Sequence, residues 1–359
     1  LLAQLSLTAS MAALFWTARA GRSASFAPAR SEASLSAIVG TLTLAAIALL
    51  VANYHQHMRL VSFEDVYDLR LESGSDERSA FADYLISWLS YCFLPFYFAR
   101  GILRRRIGDF AVGLGGSLLI YSATGSKAAI LMAPIVYGLH LLIGRTGTNF
   151  LPRLIVVLTA ALVLIIELLP DDGPLLWVKS IVLLRVLGTS GWNVATYFDY
   201  FATNGYTFYT HIGPINALAQ AYPYGELALG QVIGLQYSGS IDANFNANFW
   251  ASDGFAALGT LGVPIVTAAV SGVFYAINRL SARLPARFVV LWLSGFWLAM
   301  LNVPLTTAIV SGGGALTLAL AALARRVPRR MPPRRASPRL HAAPSTGVGL
   351  GHSTNRSAS

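Results

Sequence analysis

Four short stretches hold the residues whose types and spacing could do chemistry. The first is "NANFWASDGFAALGTLG", residues 246–262. Asn244, Asn246 and Asn248 alternate along the chain, Trp250 follows, and Asp253 sits at the edge of a glycine-spaced apolar run. Capping a helix needs one such side chain, not four. Amides and an indole would suit sugar hydroxyls and ring faces, and Asp253 would suit a general base. The second stretch is "WNVATYFDYFATNGYTFYTHIG", residues 192–213. Asp199 and His211 stand there among aromatic rings that include Tyr206 and Tyr209. His211 titrates near neutral pH if its surroundings leave it alone, which makes it a second candidate base. Asp199 is the third, and the residues alone leave the three unranked. The third group is cationic. Lys127 in "YSATGSKAAIL" falls in a tight turn at a helix start, where backbone N–H groups favour anions. Lys179 and Arg185 lie in "PDDGPLLWVKSIVLLRVLGTSGW", and a guanidinium fork can grip a pyrophosphate.

Each feature also has a plainer reading. Lys127, Lys179 and Arg185 fit interfacial anchors whose charged ends reach the membrane surface. The aromatic run fits a belt at a membrane–water interface as well as it fits a sugar-stacking surface. A histidine among rings is commonly just hydrogen-bonded. Gly254, Gly259 and Gly262 read as small faces that let helices approach closely.

The elements that must position these groups are membrane helices. The chain has 359 residues, 55% hydrophobic and 12% charged, with a mean hydropathy of +0.58. A soluble domain is nearer about 25% charged, so a soluble fold is excluded. Several apolar runs reach the about 17–25 residues that cross a bilayer as helix, and no β-barrel alternation is present. The expected fold is therefore all-α and polytopic, with nine spans at about 1–18, 35–52, 82–99, 108–124, 127–144, 154–169, 255–277, 287–302 and 304–323. The first residues, "LLAQLSLTASMAALFW", lack an initiator Met and read as helix interior, so N-terminal residues are expected to be missing. The lone Cys92 sits in an apolar run and excludes an internal disulfide. No zinc spacing exists, so the expectation is no metal and no cofactor.

Charge sets the expected topology. Most of the 26 basic residues fall in one alternating set of connections and in the tail, which the positive-inside rule assigns to the cytoplasm. The net charge of +10 and pI of about 9.9 therefore report topology rather than nucleic-acid binding. The C-terminus is expected inside. One long outer segment, about 170–254, holds a short re-entrant helix over 175–187 and most of the candidate site. The chain divides on this reading into a membrane domain over 1–324 and a basic tail over 325–359 that is too rich in Arg, Pro and Ser to fold. The spans hold almost no ionisable groups, unlike the carboxylate-bearing spans of ion-coupled transporters.

At these residues the chain resembles the bacterial O-antigen polymerase and ligase superfamily, over about residues 80–325. The ligase branch carries His, then Asn, Ser or Gln, nine residues, Gly, two residues, then Gly, Thr or Tyr. Here Asn248-Phe249 is followed by residues 250–258 and then Gly259-Thr260-Leu261-Gly262, so the glycine spacing is kept and the His-Asn head is absent. The polymerase branch looks similar to the stretch as it stands, and "TGSKAAIL" between two spans adds to the likeness. An outer-face Arg motif of some polymerases, Arg then ten residues then Gly, is not met by Arg185, since residue 196 is Thr196. The resemblance implies polymerisation of undecaprenyl-pyrophosphate-linked oligosaccharide repeat units at the outer face of the bacterial inner membrane. It assigns Lys127, Arg185 and Lys179 to the pyrophosphate, and Asn246, Asn248, Trp250, Tyr206 and Tyr209 to the glycan. Asp253, His211 and Asp199 remain the candidate bases. It implies membrane lipid, a flippase and chain-length regulators as neighbours, and no nucleic acid. A glycan ligase and a non-enzymatic flippase or export component are the alternatives.

Overall fold

The structure, a computed structural model, describes residues 9–10, 12–14, 31–56, 58–61, 80–146, 150–168, 176, 179, 183, 188–241, 243–246, 250–282 and 284–323. The chain divides into a compact unit, Leu1–Arg326, and a second, Val327–Ser359, that lies outside the described residues with the expected tail. Most of the expected first span, 1–18, lies outside them too.

Every regular element among the described residues is a helix. Five stretches are long and apolar enough to cross a membrane: Ser34–Tyr54, Ile107–Thr124, Lys127–Gly144, Trp250–Leu280 and Leu305–Leu323. This is the helix inventory of a multi-pass membrane protein. The first three lie in α1 (Ser31–Tyr54), α4 (Ile107–Thr124) and α5 (Lys127–Thr146). Gly125, at φ 62°, ends α4 in the left-handed conformation that glycine adopts without strain, and α5 begins two residues later.

Other expected spans are helical but interrupted. The stretch expected at 82–99 runs through α2 (Ala80–Trp88), a π turn (Leu89–Phe93) and α3 (Leu94–Arg104). A helix α6 (Phe150–Leu168) covers the sixth. The stretch expected at 287–302 splits at Leu293 into α12 (Ala286–Trp292) and α13 (Ser294–Asn302). The last comprises α14 (Leu305–Ile309) and α15 (Gly314–Leu323).

The main core is apolar and ring-rich. Phe96 of α3 packs edge-on against Phe288 and Trp292 of α12, with centroids 5.6 and 5.3 Å apart. At one end Arg100 donates to both carboxylate oxygens of Asp109, each at 2.7 Å, and also to Ser36 Oγ, which fastens α1, α3 and α4 together. At the opposite end the Arg59 N–H donates to Ser122 O at 3.0 Å, and the Tyr121 hydroxyl donates to Val61 O at 2.8 Å. The segment after α1 is thereby laid on the turn that carries Lys127.

One expectation needs correction. The seventh span, expected as one helix over 255–277, is a hairpin. A nine-residue α10 (Trp250–Leu258) turns through Gly259–Leu261 and folds back on α11 (Gly262–Leu280). By composition 250–280 passes for one long span, but the contacts decide otherwise. A Cβ on Gly254 would lie 2.5 Å from the Gly262 carbonyl oxygen, so the two backbones touch where a straight helix would hold them about 12 Å apart. Gly259, at φ 60°, makes the reversal. The glycines are thus a crossing within one hairpin. The segment expected outside, 170–254, carries α7 (Thr189–Asn204), α8 (Gly213–Ala219) and α9 (Leu229–Ser238), and α7 and α9 share a second core with α10 and α11. Tyr197, Phe201, Leu229 and Ile233 pack there on Ala251, Phe255 and Ala256 of α10. Of the re-entrant helix expected over 175–187, only Leu176, Lys179 and Leu183 are described, and all three are helical.

Candidate functional site

A helix end leaves its last carbonyls without partners. The C-terminus of α10 is met by the strap 206–211. The Thr207 N–H donates to Ala256 O at 2.8 Å and the Phe208 N–H to Ala257 O at 2.9 Å. Phe208 and Tyr209 take positive φ angles, 51° and 62°, to follow that end. The Tyr206 ring covers the bare Cα of Gly259, and the Tyr209 hydroxyl donates to Gly262 O at 3.4 Å. The strap exists because a short buried helix needs its carbonyls satisfied.

The strap also fixes His211. The Thr207 hydroxyl lies 3.1 Å from Ala256 O, which can only accept, and 3.0 Å from His211 Nδ1. With the hydroxyl proton assigned to Ala256 O, Nδ1–H donates to Thr207 and Nε2 carries the lone pair. Burial pushes the imidazole down to about 4, so it is neutral at pH 7. The Tyr209 and His211 rings stand 6.1 Å apart. Burial and then the charge of Asp253 raise the Tyr209 phenol above its usual value, which puts Asp253 within electrostatic reach of the strap.

Asp253 is 4% exposed, on a helix packed on all sides. Its Oδ2 accepts from the Leu305 N–H at 3.2 Å, so it caps α14 from another element. Oδ1 is buried without a hydrogen-bond partner. Tyr206 and Tyr209 therefore meet the turn of the hairpin, His211 follows them on the strap, and Asp253 lies within electrostatic reach of Tyr209.

The remaining candidates fall elsewhere. Trp250 is 9% exposed, and its Nε1–H donates to Thr267 Oγ1 at 3.1 Å, so it ties α10 to α11 and offers no open face for stacking. Asn246 is half-buried, and its amide oxygen lies with that of Asn244 against the bare Cα of Gly230 on α9. Asp199 is exposed on α7 and accepts from the Tyr237 hydroxyl at 2.6 Å. Lys127 is half-buried at the first residue of α5. Lys179 is buried. Arg185 and Asn248 lie outside the described residues.

Sequence reading missed Thr207, whose partners are 4 and 49 residues away, and no spacing announces the second. It also missed the Leu305 N–H, although the preceding Pro304 signals a helix start with donors to satisfy. No group of three or more His, Cys, Asp or Glu able to hold a metal occurs among the described residues. The chain matches no protein-family model, no curated protein and no solved structure.

Proposed function

We propose that this chain polymerises polyprenyl-pyrophosphate-linked oligosaccharide repeat units by glycosyl transfer at the outer face of a bacterial inner membrane. The observation that carries the reading is the strap that lays Tyr206 and Tyr209 on the hairpin turn and holds His211 beside them, with Asp253 in electrostatic reach of Tyr209. A lipid-linked substrate presents its head group at the membrane surface, where this reading puts the turn. The nine-span topology, with an inside C-terminus and cytoplasmic tail, belongs to this proposal. So do the outer position of 170–254 and the flippase and chain-length regulators as neighbours.

This reading assigns the following roles. His211 Nε2 takes the proton of the acceptor sugar hydroxyl. The acceptor oxygen bonds to the anomeric carbon of the donor as the bond from that carbon to the pyrophosphate oxygen breaks. The pyrophosphate leaves with the electron pair, and Lys127, Arg185 and Lys179 neutralise its charge. Thr207 holds the tautomer. Tyr206 and Tyr209 contact sugar, and Asn246 and Asn248 are assigned to the glycan as well. Asp253, buried and capped onto α14, acts through Tyr209 and does not touch substrate.

The test is a glycan gel. Full-length protein in lipid, given the host's polyprenyl-pyrophosphate repeat units, should produce a ladder that persists in EDTA. A single unchanged band from folded protein and intact substrate would reject the reading.

A further inference from the structure

We infer that Trp192, Tyr237 and Asp199 form a saccharide-holding slot on the exposed face of α7, separate from the His211 centre. Trp192, Ala195 and Asp199 recur at i, i+3 and i+7 and are all exposed, so they form one stripe of the helix. Tyr197 and Phe201 take the other face into the core against α10. The stripe runs about 10 Å along the axis, with the small Ala195 in the middle. Tyr237 of α9 closes one side. Its ring meets Trp192 edge-on at 6.4 Å and 79°, and its hydroxyl donates to Asp199 Oδ2 at 2.6 Å. One residue therefore sets both the ring and the carboxylate. The result is an indole face, an alanine floor and an end wall with a carboxylate oxygen still open to accept.

That chemistry fits a neutral pyranose. The electron-rich face of Trp192, 59% exposed, attracts the polarised C–H bonds on one side of a sugar ring. Asp199 accepts hydroxyl protons at the ring edge, and the Tyr237 hydrogen bond holds it in one rotamer, which lowers the entropy lost on binding. A membrane anchor would call for the rings but not for an exposed carboxylate aligned with them. The slot needs no catalytic group; it grips part of a growing chain away from the reacting end. Its place in chain elongation rests on the polymerase reading, while the sugar chemistry does not.

The test uses full-length protein in lipid nanodiscs and a panel of neutral disaccharides of glucose, galactose, mannose and N-acetylglucosamine. Saturation-transfer NMR reads the sugar C–H protons. At least one disaccharide should show transfer to one ring face. Ala195→Leu, which fills the floor and removes no polar group, and Trp192→Ala should each weaken binding about tenfold or more, while Trp192→Phe keeps most of it. No transfer to wild type, or transfer that survives Ala195→Leu, overturns the slot. Quenching of Trp192 fluorescence by brominated acyl chains, isolated by difference from Trp192→Phe, also overturns it and makes Trp192 a bilayer anchor. The two readings fail separately: sugar binding without a ladder rejects the polymerase, and a ladder without sugar binding rejects the slot.

Discussion

Two interrupted helices behave in opposite ways. The π turn Leu89–Phe93 sits in the apolar core, and the carbonyl of Cys92 accepts the buried Trp292 Nε1–H at 2.9 Å. The reversal at Gly259–Leu261 is closed by the strap 206–211, which brings in Thr207, Tyr209 and His211. Both breaks leave backbone groups that must be paired. One is paired by an indole inside the bundle and stays inert. The other is paired by an irregular segment whose side chains titrate. On the proposed function, the reactive groups enter through the way a helix end is satisfied.

The comparison breaks most completely at the hairpin crossing. Gly254→Val drives a branched side chain into the Gly262 backbone and should destabilise the fold by about 3 kcal/mol or more, seen as loss of monodisperse protein. The next effect separates reactive from inert. His211→Asn keeps a polar group near the Nδ1 position but loses Nε2, and elongation should fall by about 10²–10⁴ while thermal stability holds. In wild type the elongation rate should be level at neutral pH and fall through an apparent pKa of about 4 as Nε2 is protonated.

The same histidine gives a stability signature. Its folded value, about 4, lies below the ordinary imidazole value of 6.5, so the unfolded chain binds the proton more readily. Stability should be full above pH 6.5 and decline by up to about 3 kcal/mol as pH falls to 4; His211→Asn should flatten that decline. At the inert break, Trp292→Phe strips the partner from the Cys92 carbonyl. It should lower stability by about 1–3 kcal/mol and leave the elongation rate per folded molecule unchanged. The smallest effect is the control Gly272→Ala on α11. Nothing beyond its own helix lies within 4 Å of the added methyl, and the change should raise stability by no more than about 1 kcal/mol through helix propensity.

How much was legible depended on the range of the interaction. The expected spans 35–52, 108–124 and 127–144 sit within α1, α4 and α5, since apolar length and a glycine turn are local signals. The hairpin was not legible. A run from Trp250 to Leu280 looks the same on paper whether it crosses once or doubles back, and the backbone contact of Gly254 with Gly262 decides it. The aromatic run over 192–213 was ambiguous for the same reason. One helical face sends Tyr197 and Phe201 into the core, while the other leaves Trp192 and Asp199 outside.

The sequence by itself determined the solvent this chain is built for, the helical class and the charges along its connections. Those follow from composition and from the bilayer's demand that backbone groups be paired within each segment. The tertiary structure alone decided which polar residues meet. It set Asp253 against the start of α14, His211 onto Thr207, and Asp199 away from both beside Tyr237. Those pairings join residues up to 52 positions apart, and they exist because a helix terminus or an open hydroxyl needed a partner that the local sequence did not supply.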